Sequence, residues 1–327
     1  MRLGLQWFLG IALAFNGGLA FAQGGPSKAA LSPADADADF PFQGEYVGEI
    51  QQDGNNVKYG VHVIAKGNGQ FHAVGYPGGL PGDGFLGGEK IEADGELKNG
   101  AVEFVHDNVM TTLKDGLMTT TIDGQQVAQF KKVERKSPTL GMKPPAGAKV
   151  LFDGTSADAF ENGKIDANNL LIQGVTSKHK FQDATLHLEF QLSYMPTARD
   201  QGRANSGCYL QGRYEVQILD SFGLAGKNNE CGGIYTIRDP STNMCFPPLA
   251  WQTYDIDFTA AKFDAAGKKT ADAKMTVKHN GVVVQKDVPL PKTTTAAPVA
   301  EGPQPGPLYL QDHGNPVRFR NIWIVEK

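Results

Sequence analysis

The sequence predicts an all-β protein in which a small antiparallel β-meander domain precedes a larger β-sandwich. Three observations point to this fold class. Short segments throughout the chain alternate polar and apolar residues with a period of two, as half-buried strands do. No helical period of 3.6 residues persists in the first half, and 40 Gly and 19 Pro supply frequent turns. Many short strands joined by turns are typical of sandwiches and barrels.

Residues 1–22 have the features of a secretory signal peptide. A positive charge at Arg2 precedes an apolar stretch, residues 3–15, and Ala20 and Ala22 frame a cleavage site. The alternative is a membrane anchor, but the apolar stretch is shorter than the roughly 20 residues that a bilayer span needs. We therefore expect export to the periplasm or the extracellular space, without stable membrane insertion. Residues 23–39, rich in Ala, Ser, Pro and Asp, are expected to be disordered.

The charge balance limits the classes of partner. The chain has 31 Lys and Arg against 35 Asp and Glu, a formal net charge of −4, and no basic cluster. A mildly acidic surface of this kind argues against nucleic acid as a partner. The sequence predicts no particular oligomeric state.

Three cysteines follow the signal segment. Because an oxidising compartment permits disulfides, we expect Cys231 and Cys245, which flank a loop-rich stretch, to form one. Cys208 lies in an apolar strand and is expected to be a small core residue.

The first domain, residues 40–134, is a series of strand-like segments separated by turn dipeptides. Such dipeptides tolerate positive φ and favour tight hairpins. Four are expected to form turns: Asp94-Gly95, Asn99-Gly100, Asp115-Gly116 and Asp123-Gly124. The glycine-rich stretch 75–84 lacks the Lys-Ser/Thr of a phosphate loop and is expected to be a long hairpin loop. This domain carries no motif that predicts a role.

Residues 135–148 contain Pro and Gly and form the expected linker to the sandwich, residues 149–327. About ten strand-like segments follow the linker. In the segment 184–192 one face is apolar and the other polar. The apolar set is Leu186, Leu188, Phe190 and Leu192. Near the C terminus, Arg318 and Arg320 are expected opposite Val317, Phe319 and Asn321.

The most polar strand of the sandwich is the segment 214–220. Alternation places Glu215 and Gln217 on the face opposite Val216 and Ile218. Asn, Gln, Arg, Glu and Asp are dense from residue 205 to residue 221, which indicates a polar groove on the sheet. For any single residue, an ordinary solvated face with cross-strand pairs stays open as an alternative.

A second polar cluster lies at residues 311–320. His313 beside Asp312, ahead of a turn, is a candidate general acid–base or metal ligand. The alternative is that Asp312 caps the turn and His313 is simply exposed.

Several segments together carry a resemblance to a known family. They are LFDGTS (151–156), NSGCYLQGRYEVQILDS (205–221), CGGIY (231–235), WQTYDIDF (251–258), HNGV (279–282) and LQDHGNPVRFRNIW (310–323). Over about 180 residues the chain resembles the 3-keto-disaccharide hydrolase family. This resemblance implies a concanavalin A-like jelly roll and action on oxidised glycosides that carry a ketone at C3. The meander lies outside it, and Cys208 departs from the aliphatic residue usual in the family.

The implied chemistry is proton abstraction at C2, β-elimination of the aglycone at C1 and hydration, which needs a base, an oxyanion stabiliser and a proton donor. The expected catalytic residues are Glu215 as base, His313 as acid or base, and Arg320 as oxyanion stabiliser, with Arg203 as an alternative. The expected substrate-binding residues are Arg203, Asn205, Gln211, Arg213, Gln217 and Tyr235. A divalent metal is compatible with this chemistry, with Glu215, Asp220 and His313 as ligands.

Two other functions stay open. An ordinary laminarinase-type glycosidase carries Glu-x-Asp-x-x-Glu on one strand, whereas residues 215–220 have Gln in the middle and Asp at the end. Retaining chemistry needs two carboxyls about 5–5.5 Å apart, which this strand does not readily supply. A non-catalytic carbohydrate-binding module would need aromatic platforms, for which Tyr209, Tyr235 and Trp251 are candidates. An assay on an oxidised sugar separates this module from an enzyme.

Overall fold

The computed structural model describes residues 28–52 and 55–327 of the 327-residue chain. The expected signal peptide and the first part of the expected disordered stretch, residues 23–27, lie outside the described residues. Within the described ranges, no helix is long and apolar enough to cross a membrane.

The first half of the described chain forms a closed β-barrel. Its strands are β1 (Gly44–Gln52), β2 (Asn55–Gly67), β3 (Gln70–Pro77), β4 (Leu80–Pro81), β5 (Gly84–Phe85), β6 (Ile91–Lys98), β7 (Ala101–His106), β8 (Val109–Lys114), β9 (Leu117–Ile122) and β10 (Gln125–Val133). The barrel order is β1-β10-β9-β8-β7-β6-β3-β2, while β4 pairs with β5 alone. The expected antiparallel meander is therefore present, and pairing of β1 with β10 closes it into a barrel. Closure leaves no edge strand to be protected.

Three of the four expected turns are present, and their backbone conformations explain the residues found there. Asn99, Asp115 and Asp123 have φ of 51°, 49° and 50°, and each is followed by a glycine that also has positive φ. The expected turn at Asp94-Gly95 is wrong, because both residues lie within β6. Gly95 is opposite Phe104 on β7, whose ring occupies the space that a Cβ would take.

The second half of the described chain is a β-sandwich. Its strands are β11 (Lys149–Phe152), β12 (Phe160–Glu161), β13 (Leu171–Ile172), β14 (Val175–Phe181), β15 (Ala184–Leu192), β16 (Asn205–Leu210), β17 (Tyr214–Leu219), β18 (Trp251–Thr259), β19 (Lys262–Phe263), β20 (Lys269–Ala271), β21 (Ala273–His279), β22 (Val282–Leu290), β23 (Gly306–Leu310) and β24 (Val317–Glu326). One sheet has the order β11-β24-β15-β18-β21-β22, with β13 beside β24. The other has the order β12-β14-β23-β16-β17, and β19 pairs with β20. The described helices are short 3-10 turns at Pro33–Asp35, Phe40–Phe42 and Asp200–Gly202. The predicted all-β fold class is confirmed.

The alternation read from the sequence holds in β15 and fails at one point in β24. Leu186 and Phe190 are fully buried in the core between the sheets. In β24, Asn321 has φ of 46° and sits at a bulge opposite β15. The extra residue turns Asn321 to the outer face, where its amide donates to the Glu189 carboxylate at 2.9 Å. The expectation that Asn321 shares the face of Phe319 is therefore wrong, because period-two counting does not anticipate a bulge.

The segment expected to be disordered is tied to the sandwich from Ala30 onward. Ala30 and Tyr194 exchange backbone hydrogen bonds of 3.0 and 2.9 Å, and Ala30 is buried. The Tyr194 hydroxyl also donates to Asp37 at 2.8 Å. These long-range contacts order a stretch whose composition alone suggests disorder.

The expected linker is fastened against the outer face of the larger sheet. The Ser137 and Thr253 hydroxyls lie 2.6 Å apart, and Thr139 donates to the Asp255 carboxylate at 2.7 Å. The Gly141 amide donates to Glu189. We propose that the chain has two domains, and that residues 135–148 connect them while hydrogen-bonded to the larger sheet.

The expected disulfide between Cys231 and Cys245 is absent, since all three cysteines are free and buried. The two thiols are close enough to hydrogen-bond to each other. The Cys231 sulfur also lies 3.2 Å from the Tyr254 hydroxyl, and the Cys245 sulfur contacts the Leu219 carbonyl. Cys208 is fully buried in the core, as expected.

Candidate active site

The smaller sheet presents a polar face built by β16, β17 and β23. Tyr209 on β16 is paired with Glu215 on β17 and with Tyr309 on β23. Because directly opposed residues in an antiparallel pair point to the same side, these three share one face. The neighbouring residues Cys208 and Val216 point the other way, into the core. Because the apolar side chains of each strand are buried in the core, the polar side chains that alternate with them point to the opposite face.

Glu215 is an acid buried without a cation. The residue as a whole is 3% exposed. Its carboxyl lies over Gly207, where it occupies the space that a Cβ would take. Burial raises the pKa of Glu215 to about 8, although a hydrogen bond with the Tyr209 hydroxyl acts in the opposite direction. Desolvation favours the neutral acid, and no ion pair to Glu215 exists among the described residues. A carboxyl with this pKa is suited to proton transfer near neutral pH.

Amide side chains extend this face on both sides of Glu215. Gln311 donates to the Tyr209 hydroxyl at 3.4 Å. Asn205 and Gln217 both donate to the Gln201 side-chain oxygen, at 3.1 and 3.0 Å. The Asn205 side-chain oxygen is buried without a partner in the described part of the chain. An orphaned buried acceptor calls for a donor such as water or a sugar hydroxyl.

One wall of the site comes from residues 291–305, which connect β22 to β23 and are called the strap below. The Glu215 amide donates to the Thr294 hydroxyl at 3.0 Å, and the Tyr209 hydroxyl donates to the Thr295 carbonyl at 3.1 Å. The opposite wall contains Tyr235, whose amide donates to the Glu215 carbonyl at 3.3 Å. The strap and Tyr235 therefore hold both residues of the Glu215–Tyr209 pair.

A family model described as the 3-keto-α-glucoside-1,2-lyase-like domain matches residues 147–325, more than half of the chain. The chain belongs to this family. A crystal structure of a candidate glycosyl hydrolase from Parabacteroides distasonis is 34% identical, covers 56% of this chain and 85% of its own, and superimposes with a TM-score of 0.51.

Two further structures of candidate glycosyl hydrolases from the same organism are more distant. They are 16% and 19% identical, with TM-scores of 0.41 and 0.39. Each covers 55% of this chain, and 94% and 99% of its own length. Among curated proteins there is no match.

The 3-keto-α-glucoside-1,2-lyase-like match confirms the family resemblance seen in the sequence. It begins at residue 147, so the barrel lies outside it. All the residues of the polar face described above lie inside it.

Of the expected substrate-binding residues, Asn205, Gln217 and Tyr235 lie around Glu215. Arg213 instead fastens the strap, and Gln211 supports Arg213. Arg213 donates from Nε to the Ala300 carbonyl at 2.8 Å and from Nη1 to the Gln304 carbonyl at 3.0 Å. It also donates to the Gln211 side-chain oxygen at 2.8 Å. Their polar groups are occupied within the protein, so both act through the strap.

The structure does not bring an arginine to Glu215, which corrects the expectation for Arg203 and Arg320. Arg203 forms an ion pair of 2.6 Å with Asp220. Arg320 lies on the outer face of the other sheet, where it pairs with Glu189 at 2.7 Å and stacks 3.9 Å from the Trp251 ring centre. The hydrophobic core therefore separates Arg320 from Glu215.

The expected metal set of Glu215, Asp220 and His313 is also not assembled. Among the described residues, no group of three His, Cys, Asp or Glu side chains could hold a metal ion. Asp220 is occupied by Arg203, and His313 is exposed. The main chain two residues earlier is anchored, because the Gln311 amide donates to the Gly207 carbonyl at 2.9 Å. His313 thus follows an anchored segment of this face, but its side chain has no described hydrogen bond.

Sequence reasoning missed the contribution of Tyr309 to this face and placed Gln311 in the polar cluster at residues 311–320 without giving it a role. A signal was present, because the two residues alternate with Leu308 and Leu310 in a strand-like segment. That pattern places them on one side of a strand. It does not reveal that β23 lies beside β16, which is a fact of sheet topology.

Proposed function

We propose that the protein is an exported enzyme that cleaves 3-keto-glycosides, with Glu215 as the general base. The observation that carries the proposal is a buried carboxyl without a cation on the polar face of a sandwich of this family. The similarity to a candidate glycosyl hydrolase supports action on a glycosidic bond. Periplasmic or extracellular location rests on the signal-like N terminus alone.

The chemistry starts from the ketone at C3, which acidifies the hydrogen at C2. The Glu215 carboxylate removes this proton, and the electron pair of the C2–H bond moves toward the C3 oxygen. The enolate then expels the aglycone oxygen from C1, which takes up a proton and leaves as an alcohol. Water adds across the resulting C1–C2 double bond, with OH at C1 and H at C2, to give the free 3-keto sugar. Hydroxyl donors in a partly dry site stabilise the enolate better than water does.

Residues of the polar face supply these other roles. Tyr209 and Tyr309 carry phenol hydroxyls on this face, with ring centres 5.3 Å apart. Tyr309 is half-exposed and is therefore our candidate donor to the enolate oxygen. Asn205, Gln217 and Gln311 are candidate partners for sugar hydroxyls. His313, exposed at the end of β23, stays a candidate proton donor to the leaving group.

Glu215→Gln tests the proposal, because it retains shape and hydrogen bonding but cannot accept a proton. We expect turnover of a 3-keto-glucoside to fall at least about 100-fold. The parent glucoside, which lacks the acidifying ketone, should not be cleaved by either protein. Product formation is measured by chromatography.

Arg320→Gln is the matched control, since Arg320 lies beyond the core, and it should leave turnover nearly unchanged. Near-normal activity of Glu215→Gln would exclude Glu215 as the base. Sugar binding without cleavage by the unsubstituted protein would instead favour the carbohydrate-binding module, for which Tyr235 and Tyr309 offer half-exposed rings.

A further inference from the structure

A second cleft lies away from Glu215, at the junction between barrel and sandwich. Its volume is about 320 Å³. The barrel contributes Tyr76, Pro81, residues 85–88 and Lys90, and the sandwich contributes residues 224–225 and 241–243. This volume is within the usual range for small-molecule sites, about 300–1,000 Å³. The glycine-rich loop that the sequence left without a role thus forms one wall.

The cleft contains an unpaired cation. The Lys90 ammonium lies 5.3 Å from the centre of the Tyr76 ring, and Lys90 is half-buried. Among the described residues it forms no ion pair, and no acid lines the cleft. Glu89, its neighbour in sequence, is exposed and does not line the cleft.

Carboxylates near the cleft already have partners. Glu45 is held by Arg135 at 2.8 Å. Asp83 pairs with Lys58 at 3.1 Å, and Glu92 lies 3.2 Å from His72. The positive charge of Lys90 is therefore available to a ligand.

The rim of the cleft is apolar on both sides. Leu86 from the barrel loop is 99% exposed, and Leu224 from the sandwich is 43% exposed. Phe85 also lines the cleft, and its ring centre lies 5.1 Å from that of the buried Tyr76 ring. Exposed apolar side chains on both walls of a cleft indicate an apolar partner. Ser241 and Thr242 add hydroxyls to the sandwich wall.

We propose that this cleft binds a small organic carboxylate with an apolar ring, with Lys90 at the carboxylate and Leu86 and Leu224 against the ring. A carboxylate on a ring can come from an aromatic acid or from a uronic acid sugar. The leucine rim favours the aromatic acid, because a sugar ring would leave its hydroxyls against apolar side chains. The site is independent of Glu215 and of the proposed cleavage reaction.

Calorimetric titration with 4-hydroxybenzoate tests the proposal, with the isosteric neutral 4-hydroxybenzamide as the matched ligand. We expect the carboxylate to bind and the amide to bind about tenfold more weakly, since a charge-assisted contact is lost. Lys90→Met should weaken 4-hydroxybenzoate about tenfold and leave the amide unchanged. Lys98→Met, at the far end of β6 from Lys90 and paired with Glu96 at 3.3 Å, is the control and should bind normally.

Three results would overturn the inference. They are absence of binding, equal binding of acid and amide, and tighter binding of glucuronate than of 4-hydroxybenzoate with no effect of Leu224→Ser. Glu215→Gln should bind 4-hydroxybenzoate like the unsubstituted protein. Failure of the proposed cleavage reaction therefore leaves this test intact.

Discussion

At the scale of single residues, Glu215 shows how a strand creates a proton-transfer group. Along β17 the side chains alternate, so Val216 points into the core and Glu215 points to the other face of the sheet. Gly207 on the paired strand leaves space for the carboxyl, and the Tyr209 hydroxyl lies within hydrogen-bonding reach of it. The acid is held where water is scarce, which raises its pKa.

The raised pKa of Glu215 makes a prediction about stability. The folded value, about 8, lies above the ordinary 4.5, so folding favours the protonated acid. That stabilising contribution is complete below about pH 4.5 and is lost as the pH rises through 8. We therefore expect the free energy of unfolding of Glu215→Gln, relative to that of the unsubstituted protein, to increase by more than about 1 kcal/mol from pH 5 to pH 8.5.

Denaturant unfolding of both proteins at the two pH values measures this difference. Parallel pH profiles would show that Glu215 has an ordinary pKa. In the same way, cleavage of the 3-keto substrate should increase from pH 6 to pH 8, because only the carboxylate accepts the C2 proton.

At the scale of elements, the strap is an irregular segment made rigid by specific contacts. Arg213 binds two of its carbonyls, and the Tyr214 hydroxyl donates to Glu301 at 2.8 Å. The Val299 amide donates to the Gly212 carbonyl at 3.1 Å. These contacts fix the Thr294–Thr295 pair beside Glu215 and Tyr209. Gln211 and Arg213 were expected to bind substrate because a polar side chain at a turn has the same sequence signature in either role.

Loosening the strap should lower turnover only by displacing the residues that it holds beside Glu215. Arg213→Met removes the contacts to the Ala300 and Gln304 carbonyls, and we expect faster hydrogen exchange in residues 291–305 and about a tenfold lower kcat. Arg213→Lys should recover part of both, because an ammonium reaches one carbonyl but lacks the guanidinium fork. Exchange mass spectrometry and steady-state kinetics measure the two effects. Unchanged exchange in the strap would contradict its dependence on Arg213.

At the scale of the whole molecule, barrel and sandwich meet through a buried polar cluster and a small apolar one. Arg135 from the connection donates to both Glu45 oxygens and to the Pro81 carbonyl at 2.7 Å. His62 stacks on Phe222 of the sandwich with ring centres 4.3 Å apart. Burial opposes ionisation of Glu45, yet hydrogen bonds from Arg135 and the His62 ring nitrogen 3.2 Å away hold the pKa of Glu45 below the ordinary value.

This cluster predicts strong coupling across the junction. Arg135→Met leaves the Glu45 carboxylate, 1% exposed, buried without its main partner. Removing one member of a buried pair costs about 3–5 kcal/mol of unfolding free energy. Denaturant unfolding at pH 7 measures the loss, and the double substitution Glu45→Gln/Arg135→Met should recover most of it. A loss below about 1 kcal/mol for Arg135→Met would show that the pair contributes little at the junction.

The sequence by itself determined the fold class, the family and the faces of the regular strands. Period-two alternation is a local property, so it placed Glu215 and Gln217 opposite Val216 without knowledge of the fold. Tight turns are local as well, and the turns at Asn99, Asp115 and Asp123 were predicted from their dipeptides. Motif matches over about 180 residues identified the family, which the match to residues 147–325 confirmed.

Only the tertiary structure decided which polar residues meet. The order of strands in a sheet is set by long-range pairing, so it brought Tyr309 and Gln311 to Glu215 and placed Arg320 beyond the core. Asp220 was an expected metal ligand, but in the fold it forms an ion pair with Arg203. Barrel closure, the bulge at Asn321 and the junction cleft likewise depend on segments far apart in the chain. Contacts between such segments leave no periodic trace in a single sequence, because each residue type is compatible with several partners.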